Sequence, residues 1–145
     1  MVKCDLVILR GPSGSGKTTW AKTLFPYAVL CSADDYFMHD GEYLFDPAKL
    51  PEAHQTCMAS VLKAMAEGKS TIVVDGTHTR MWEWQNYLQV GLLAGYAVQV
   101  IEFNVATIDA LRLCIDRNLH KVPGAAIANQ VLRFEPHIGA TVIQI

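Results

Sequence analysis

Residues 11–18 read GPSGSGKT and directly follow a short apolar run at residues 6–9. The segment fits the phosphate-binding pattern of glycine, any four residues, glycine, lysine, and then serine or threonine. Glycines let the backbone curl so that successive N–H groups point inward and form a nest for phosphate oxygens. A chance glycine-rich turn is the alternative. The apolar run before the motif and the amphipathic residues 19–25 after it favour a nucleotide-binding P-loop instead.

The motif also predicts which groups contact the nucleotide. The Lys17 ammonium can reach the β- and γ-phosphates, and the Thr18 hydroxyl can ligate Mg²⁺. The N-terminus of the next helix adds its dipole and its unpaired N–H groups. We therefore expect ATP and Mg²⁺ to bind here, through Gly11, Ser13, Gly14, Ser15, Gly16, Lys17, Thr18 and Thr19.

Length and charge limit the remaining possibilities. With 145 residues, of which 51% are hydrophobic and 18% charged, we expect residues 1–145 to form a single globular domain. The formal net charge is −2, so the chain has no basic surplus to hold a long stretch of nucleic acid. A nucleic-acid partner would need a local basic patch.

The four cysteines, Cys4, Cys31, Cys57 and Cys114, are scattered without a close pair. This spacing argues against a zinc site and favours reduced thiols. No signal-peptide pattern and no apolar run of membrane-spanning length occurs, so we expect a cytoplasmic protein without a membrane partner. The sequence leaves the oligomeric state open.

Apolar runs alternate with helical patterns along the whole chain. This order predicts an α/β fold with about five parallel strands covered by helices on both faces. The strands are expected at residues 6–10, 28–33, 70–74, 96–103 and 141–145. Helices are expected to end near residues 25, 67, 94, 118 and 134, with Thr79 and Thr107 as caps. An Asp40-Gly41 turn predicts a hairpin within residues 36–45.

Ligands of open parallel sheets collect at the carboxyl ends of the strands, and two of these ends carry aspartates. Asp75 follows an apolar run and fits a partner of the P-loop threonine at Mg²⁺; a helix cap is the alternative. Asp34 and Asp35 follow another run. A kinase needs a carboxylate to accept the proton of the acceptor hydroxyl. Adjacent aspartates usually point different ways, so we expect one to face the site and the other to cap or pair.

Basic residues at the end of a predicted helix suggest a lid over the triphosphate. Arg117 and Lys121, with His120 between them, could supply the cation that stabilises transition-state charge. The alternative is that the helix dipole alone favours cations there. Arg10 and Arg133 are weaker candidates for the same task.

Four aromatic residues crowd the predicted hairpin, and two of them, Phe37 and Tyr43, are candidates for stacking on an acceptor base. The alternative is a small satellite core. His78, close after Asp75, is a further candidate for acceptor binding or a plain loop hydrogen-bonder.

The ordered set of GPSGSGKT, Asp34-Asp35-Tyr36, Asp75 with Thr77 and His78, Arg117-Asn118 and Val122-Pro123 resembles the phage polynucleotide 5′-hydroxyl kinases. It also resembles the small kinase-like AAA-family ATPase domains grouped with them. The resemblance implies a P-loop NTPase fold of the kinase type with a short lid. It also implies that Lys17 and Thr18 bind phosphates and metal, that Asp34 is the general base, that Asp75 lies near metal and acceptor, and that Arg117 belongs to the lid.

The chain departs from those kinases at the acceptor side. Phe37 stands where they carry an arginine for the acceptor phosphate, Gly76 and His78 replace asparagines, and Lys121 is the one clear substitute for a second lid arginine.

These observations predict an ATP- and Mg²⁺-dependent kinase acting on a hydroxyl of a nucleic acid or nucleoside. A polynucleotide 5′-hydroxyl and a hydroxymethyl group on a modified base, as in phage DNA, are both open. Lys17, Asp34 and Arg117 are the candidate catalytic residues, and Asp35, Phe37, Tyr43 and His78 are the candidate acceptor contacts. One alternative is a kinase of small molecules or nucleotides, and another is a non-catalytic ATP-binding module, which needs no base such as Asp34.

Overall fold

The computed structural model describes residues 4–145, which form an α/β fold with helices on both faces of a sheet. Five parallel strands form the sheet in the order β2-β5-β1-β6-β7, which confirms the predicted architecture. The sheet strands are β1 (Asp5–Arg10), β2 (Val29–Ser32), β5 (Thr71–Asp75), β6 (Ala97–Asn104) and β7 (Thr141–Gln144). The helices are α1 (Lys17–Leu24), α2 (Leu50–Ala66), α3 (Met81–Leu93), α4 (Ile108–Arg117) and α5 (Gly124–Leu132).

The central strand β1 is buried on both faces, as its unbroken apolar run predicts. Leu6 and Ile8 point to the side covered by α2 and α3, where they meet Val61 and Trp84. Val7 and Leu9 point to the opposite side, where the cluster includes Ala21 of α1 together with Phe103. Alternate residues of one strand therefore hold helices on both faces of the sheet.

A two-stranded hairpin, β3 (Met38–His39) and β4 (Glu42–Tyr43), stands outside the main sheet. Asp40 and Gly41 both have positive φ, which the tight turn requires and which glycine and aspartate tolerate. We call residues 38–43 the flap. The expected hairpin is confirmed, but its strands are shorter than predicted, because a 3-10 turn over Ala33–Phe37 precedes it.

Two of the predicted helix starts can be compared with the structure. Thr107 caps α4 as expected, its hydroxyl accepting a bond from the Ala110 amide at 3.0 Å. Thr79 does not cap α3, which begins at Met81. The Thr79 hydroxyl instead donates to the Glu83 carboxylate at 2.7 Å and accepts from the Arg133 guanidinium at 3.0 Å.

The last residue of β1 is a fully buried arginine. The Arg10 guanidinium is paired with the Glu102 carboxylate and donates to the carbonyls of His78 (2.8 Å), Thr79 (3.2 Å) and Glu135 (2.7 Å). It also lies over the ring of Trp84, 4.6 Å from the ring centroid. Arg10 is therefore structural, and its assignment as a candidate lid cation is wrong.

Burial lowers the pKa of Arg10, and the Glu102 carboxylate opposes that shift. A buried ion pair that loses one partner leaves an uncompensated charge in the interior. The Glu102 carboxylate has a second task, because it also accepts the His137 amide at 2.7 Å.

We predict that Glu102→Gln lowers the free energy of unfolding by about 3–5 kcal/mol, because it leaves the Arg10 charge buried without its counter-ion. Urea denaturation measures the change. Glu135→Gln is the matched control, since it removes a half-exposed ion pair with Arg80 and should cost at most about 1 kcal/mol. Equal costs for the two variants would contradict the structural role of the buried pair.

Candidate active site

The P-loop lies between the carboxyl end of β1 and the start of α1. Gly16 adopts a left-handed conformation with φ of 92°, directly before the first residue of the helix. Gly14 approaches the end of α4 so closely that a Cβ there would lie 1.9 Å from the Cys114 carbonyl oxygen. Gly16 is required by its backbone conformation, at a position where the motif predicts a glycine, and Gly14 is required by its close packing against α4.

Lys17 is the first residue of α1 and is buried. Its ammonium donates to the Pro12 carbonyl at 3.0 Å and lies 3.5 Å from the Ser15 hydroxyl. Burial lowers the pKa of Lys17, while the carboxylates of Asp75 and Asp34 oppose that shift. The charge of Lys17 is therefore held inside the loop and faces both carboxylates expected to act in the site.

The two predicted metal ligands meet in the structure. The Thr18 hydroxyl donates to a carboxylate oxygen of Asp75 at 2.5 Å, joining the start of α1 to the end of β5. Hydroxyl and carboxylate oxygens form a donor set suited to Mg²⁺, which is commonly held by one or two protein groups together with phosphate oxygens. No cluster of three or more acidic, histidine or cysteine ligands occurs within residues 4–145.

Two of the remaining P-loop residues have backbone amides that are bonded elsewhere in the protein. Gly11 donates to the Thr77 carbonyl at 3.0 Å, and Ser13 donates to the Gln130 side-chain oxygen at 2.9 Å. Ser15 is buried, whereas Thr19 is exposed on the first turn of α1. Gln130 of α5 was not recognised from the sequence, where nothing links it to a loop 117 residues away.

We call residues 118–123 the lid loop. Arg117 directly precedes this loop, and Lys121 lies within it. Arg117, at the end of α4, donates to the Gly14 carbonyl at 3.2 Å, so its guanidinium lies against the P-loop. Lys121 is exposed and has φ of 55°, an unusual conformation for a residue with a side chain. Arg117 lies at the predicted position, and Lys121 lines the neighbouring cavity.

The two adjacent aspartates point to different cavities. Asp34 lines a cavity of about 420 Å³, whereas Asp35 lines a separate one of about 160 Å³ between β2 and α2. Burial raises the pKa of Asp35, with further contributions from the charges of Asp34 and Asp75. The structure thus brings Asp34 to the same cavity as Asp75, whereas Asp35 lines the smaller neighbouring cavity.

The larger cavity lies at the carboxyl end of the sheet, beside the P-loop. Ser13 of the P-loop, Asp75 and Asp34 line it together. Its aromatic walls are Phe37, Tyr43, Phe45 and Tyr87. Lys121, Val122 and Pro123 of the lid loop border it as well, and Gln130 and Arg133 extend it along α5.

The predicted stacking surface of the flap differs from expectation. Phe37 is only 2% exposed and packs edge-on against Tyr36, Tyr43 and Phe45, so its assignment as an exposed aromatic is wrong. Tyr43 is half-buried, and its ring is stacked on the His120 imidazole with 4.0 Å between centroids. Phe37 belongs to the satellite core that was the alternative, while Tyr43 stands at the cavity mouth.

The His78 ring packs directly against Gly76. A Cβ on Gly76 would lie 2.6 Å from the His78 ring, so the glycine makes room for the imidazole. The ring is buried, and its Nδ1 donates to the Leu9 carbonyl at 2.8 Å. Burial lowers the pKa of His78 to about 4, so the ring is neutral near pH 7. His78 therefore ties the loop after β5 to β1 and also lines the cavity.

The comparisons with known proteins concern the family and the fold. The AAA domain family model matches residues 6–137. The chain is 31% identical over 141 residues to human NEDD4-binding protein 2, an alignment that covers 95% of this chain but only 8% of that much longer protein.

Solved kinase structures share the fold. A putative kinase from Chloroflexus aurantiacus superposes with a TM-score of 0.69 and 15% identity, covering 99% of this chain and 88% of the other. A gluconokinase from Sinorhizobium meliloti superposes with a TM-score of 0.65 and 12% identity, covering 97% and 82%. At these identities the likeness concerns the fold. The match over residues 6–137 shows that the chain belongs to the AAA domain family, with the fold of P-loop kinases.

Proposed function

We propose that this chain is an ATP- and Mg²⁺-dependent phosphotransferase that moves the γ-phosphate of ATP to a hydroxyl group. One observation carries the proposal: Ser13 of the P-loop, Asp75 and Asp34 line the same cavity. A proton acceptor that faces the phosphate site across a cavity is what a kinase needs and a plain nucleotide-binding module does not.

The groups in and beside the cavity have separate roles in this reaction. Lys17, Arg117 and the backbone amides at the start of α1 would hold the triphosphate, with Lys121 close by, while Thr18 and Asp75 would hold Mg²⁺, which offsets phosphate charge when bound. The acceptor oxygen bonds to the γ-phosphorus as the bond to the β-phosphate oxygen breaks. The proton of the hydroxyl passes to Asp34, and ADP leaves.

The acceptor we propose is a hydroxyl of a nucleoside or nucleic acid, including a 5′-hydroxyl or a hydroxymethyl group on a base. The rings of Tyr43 and Phe45 in the cavity wall suit a planar base. Of the remaining candidate contacts, His78 lies in the same wall and Asp35 does not. The resemblance to polynucleotide kinases supports this choice as well.

The second candidate is a kinase of small molecules. A cavity of about 420 Å³ that is bordered by both the flap and the lid loop fits an acceptor the size of a sugar or a nucleoside.

No helix within residues 4–145 has the length and apolarity needed to cross a membrane. We expect the reaction to take place in the cytoplasm.

We predict that Lys17→Ala weakens ATP binding by about 10- to 100-fold, because it removes a charge-assisted contact to the phosphates. Titration calorimetry with Mg-ATP measures the change. Lys22→Ala, in the last turn of the same helix, is the matched control and should leave the affinity unchanged. A Lys17→Ala protein that binds ATP as tightly as the parent would overturn the assignment of the P-loop.

We predict that Asp34→Asn lowers the rate of ADP formation in the presence of acceptor by about 10²- to 10⁴-fold, because an amide cannot accept the proton. The affinity for ATP should stay unchanged. Asp35→Asn is the matched control and should have a milder effect, since Asp35 faces a different cavity. Equal losses in the two variants, together with less cooperative unfolding, would show that the aspartate pair is structural.

A further inference from the structure

The flap and the lid loop meet at one aromatic contact. The Tyr43 ring of the flap and the His120 imidazole of the lid loop are nearly parallel, with 4.0 Å between centroids and 16° between planes. The segments that carry them are 77 positions apart in the chain and border the same cavity. We call this stack the latch.

Both residues of the latch also face the proposed base. The Tyr43 hydroxyl donates to Oδ1 of Asp34 at 3.1 Å. The Nδ1 atom of His120 lies 3.7 Å from Oδ2, beyond hydrogen-bond distance. One carboxylate oxygen is thus held by the flap, while the other is bordered by the lid loop. The Asp34 side chain as a whole is 53% exposed.

Each side of the latch is held by its own contacts. In the lid loop, the Asn118 side chain accepts the amides of His120 and Val122 and donates to the Val122 carbonyl at 2.7 Å. In the flap, Tyr43 packs against buried Phe37 and lies parallel to Phe45. The rings are therefore presented by ordered segments on both sides.

The protonation of Tyr43 agrees with its place as a donor. Burial and the nearby Asp34 carboxylate raise the pKa of Tyr43 well above its ordinary value, so the phenol keeps its proton at neutral pH. The charges around the latch are Asp34 and Asp35 on the turn before the flap, and Arg117 and Lys121 beside His120.

We propose that Tyr43 and His120 are positioning residues for Asp34. In the first part of this proposal, the Tyr43 hydroxyl orients the carboxylate so that Oδ2 receives the acceptor proton. In the second part, the ring stack of the latch holds the flap against the lid loop over the cavity. The first part rests on the proposed function, because it assigns Asp34 the role of base. The second part, the latch, stands on the ring geometry alone.

Limited proteolysis of the full chain tests the latch without any substrate. Lys121 is exposed beside His120, so trypsin cleaves after it more readily when the lid loop opens. Tyr43→Leu should raise the rate of this cleavage about three- to tenfold, as expected for loss of an aromatic pair. Tyr43→Phe keeps the ring and should cleave like the parent.

Cleavage after Lys69, far from the flap and lid loop in the chain, is the internal reference. It should proceed at the same rate in all three proteins. If Tyr43→Leu leaves the Lys121 rate unchanged, or speeds both sites equally, the latch does not exist.

Hydrolysis of Mg-ATP tests the positioning role, with water in place of the acceptor. Tyr43→Phe should lower kcat about tenfold, the value of one hydrogen bond to a charged group, with KM for ATP unchanged. Tyr27→Phe is the matched control, because Tyr27 is 99% exposed. In an Asp34→Asn background, Tyr43→Phe should cause no further loss, since it acts through the carboxylate that is no longer there.

The ring of His120 is tested by a conservative replacement. His120→Ala should lower kcat severalfold, and His120→Phe, which keeps a planar ring, should restore it. Equal losses in the two variants would overturn the stack, and additive losses for Tyr43→Phe and Asp34→Asn would overturn the positioning role. A parent protein that turns over ATP neither with water nor with a hydroxyl acceptor would refute the proposed function and the positioning role. The rates of tryptic cleavage would still decide whether the latch exists.

Discussion

The buried Arg10 guanidinium is the constraint on which the site depends. It closes β1 directly before the first glycine of the P-loop and is neutralised by Glu102 of the neighbouring strand. Its hydrogen bonds reach the loop after β5 through the carbonyls of His78 and Thr79. Because a charge in the interior must be compensated, these segments are held in one arrangement. The P-loop and the loop that follows Asp75 are therefore fixed relative to each other by a residue that faces no ligand.

Strand order then brings the reacting groups together. Because β5 lies between β1 and β2, the carboxyl ends of the three strands are adjacent, and each carries one part of the site. The P-loop follows β1, Asp75 ends β5, and Asp34 follows β2. The bond between Thr18 and Asp75 joins two of these ends directly. Parallel strands thus place the P-loop, the proposed metal ligands and the proposed base at one edge of the sheet.

Local patterns predicted most of this architecture, because the P-loop spacing, the apolar strand runs and the Asp40-Gly41 turn each depend on neighbouring residues. The sequence could also indicate that Asp34 and Asp35 point apart. It could not identify the partner of Arg10, since Glu102 is 92 positions away, and Arg10 was therefore kept as a weaker candidate for the lid cation. Phe37 was left open between a stacking surface and a small core, because hydrophobicity alone does not distinguish the two. The pairing of Gly76 with His78 depends on a side-chain fold-back that only the three-dimensional structure reveals.

The central claim is that the cavity shared by the P-loop and Asp34 transfers phosphate to a hydroxyl. The most direct test offers the chain ATP labelled in its γ-phosphate together with 5′-hydroxyl DNA and RNA, nucleosides, hydroxymethyl bases and sugars. The account predicts that the label appears in an organic phosphate ester of at least one acceptor, and that this product is lost with Asp34→Asn. Label that is released only as inorganic phosphate from every mixture, or a product that persists without the Asp34 carboxylate, would contradict it.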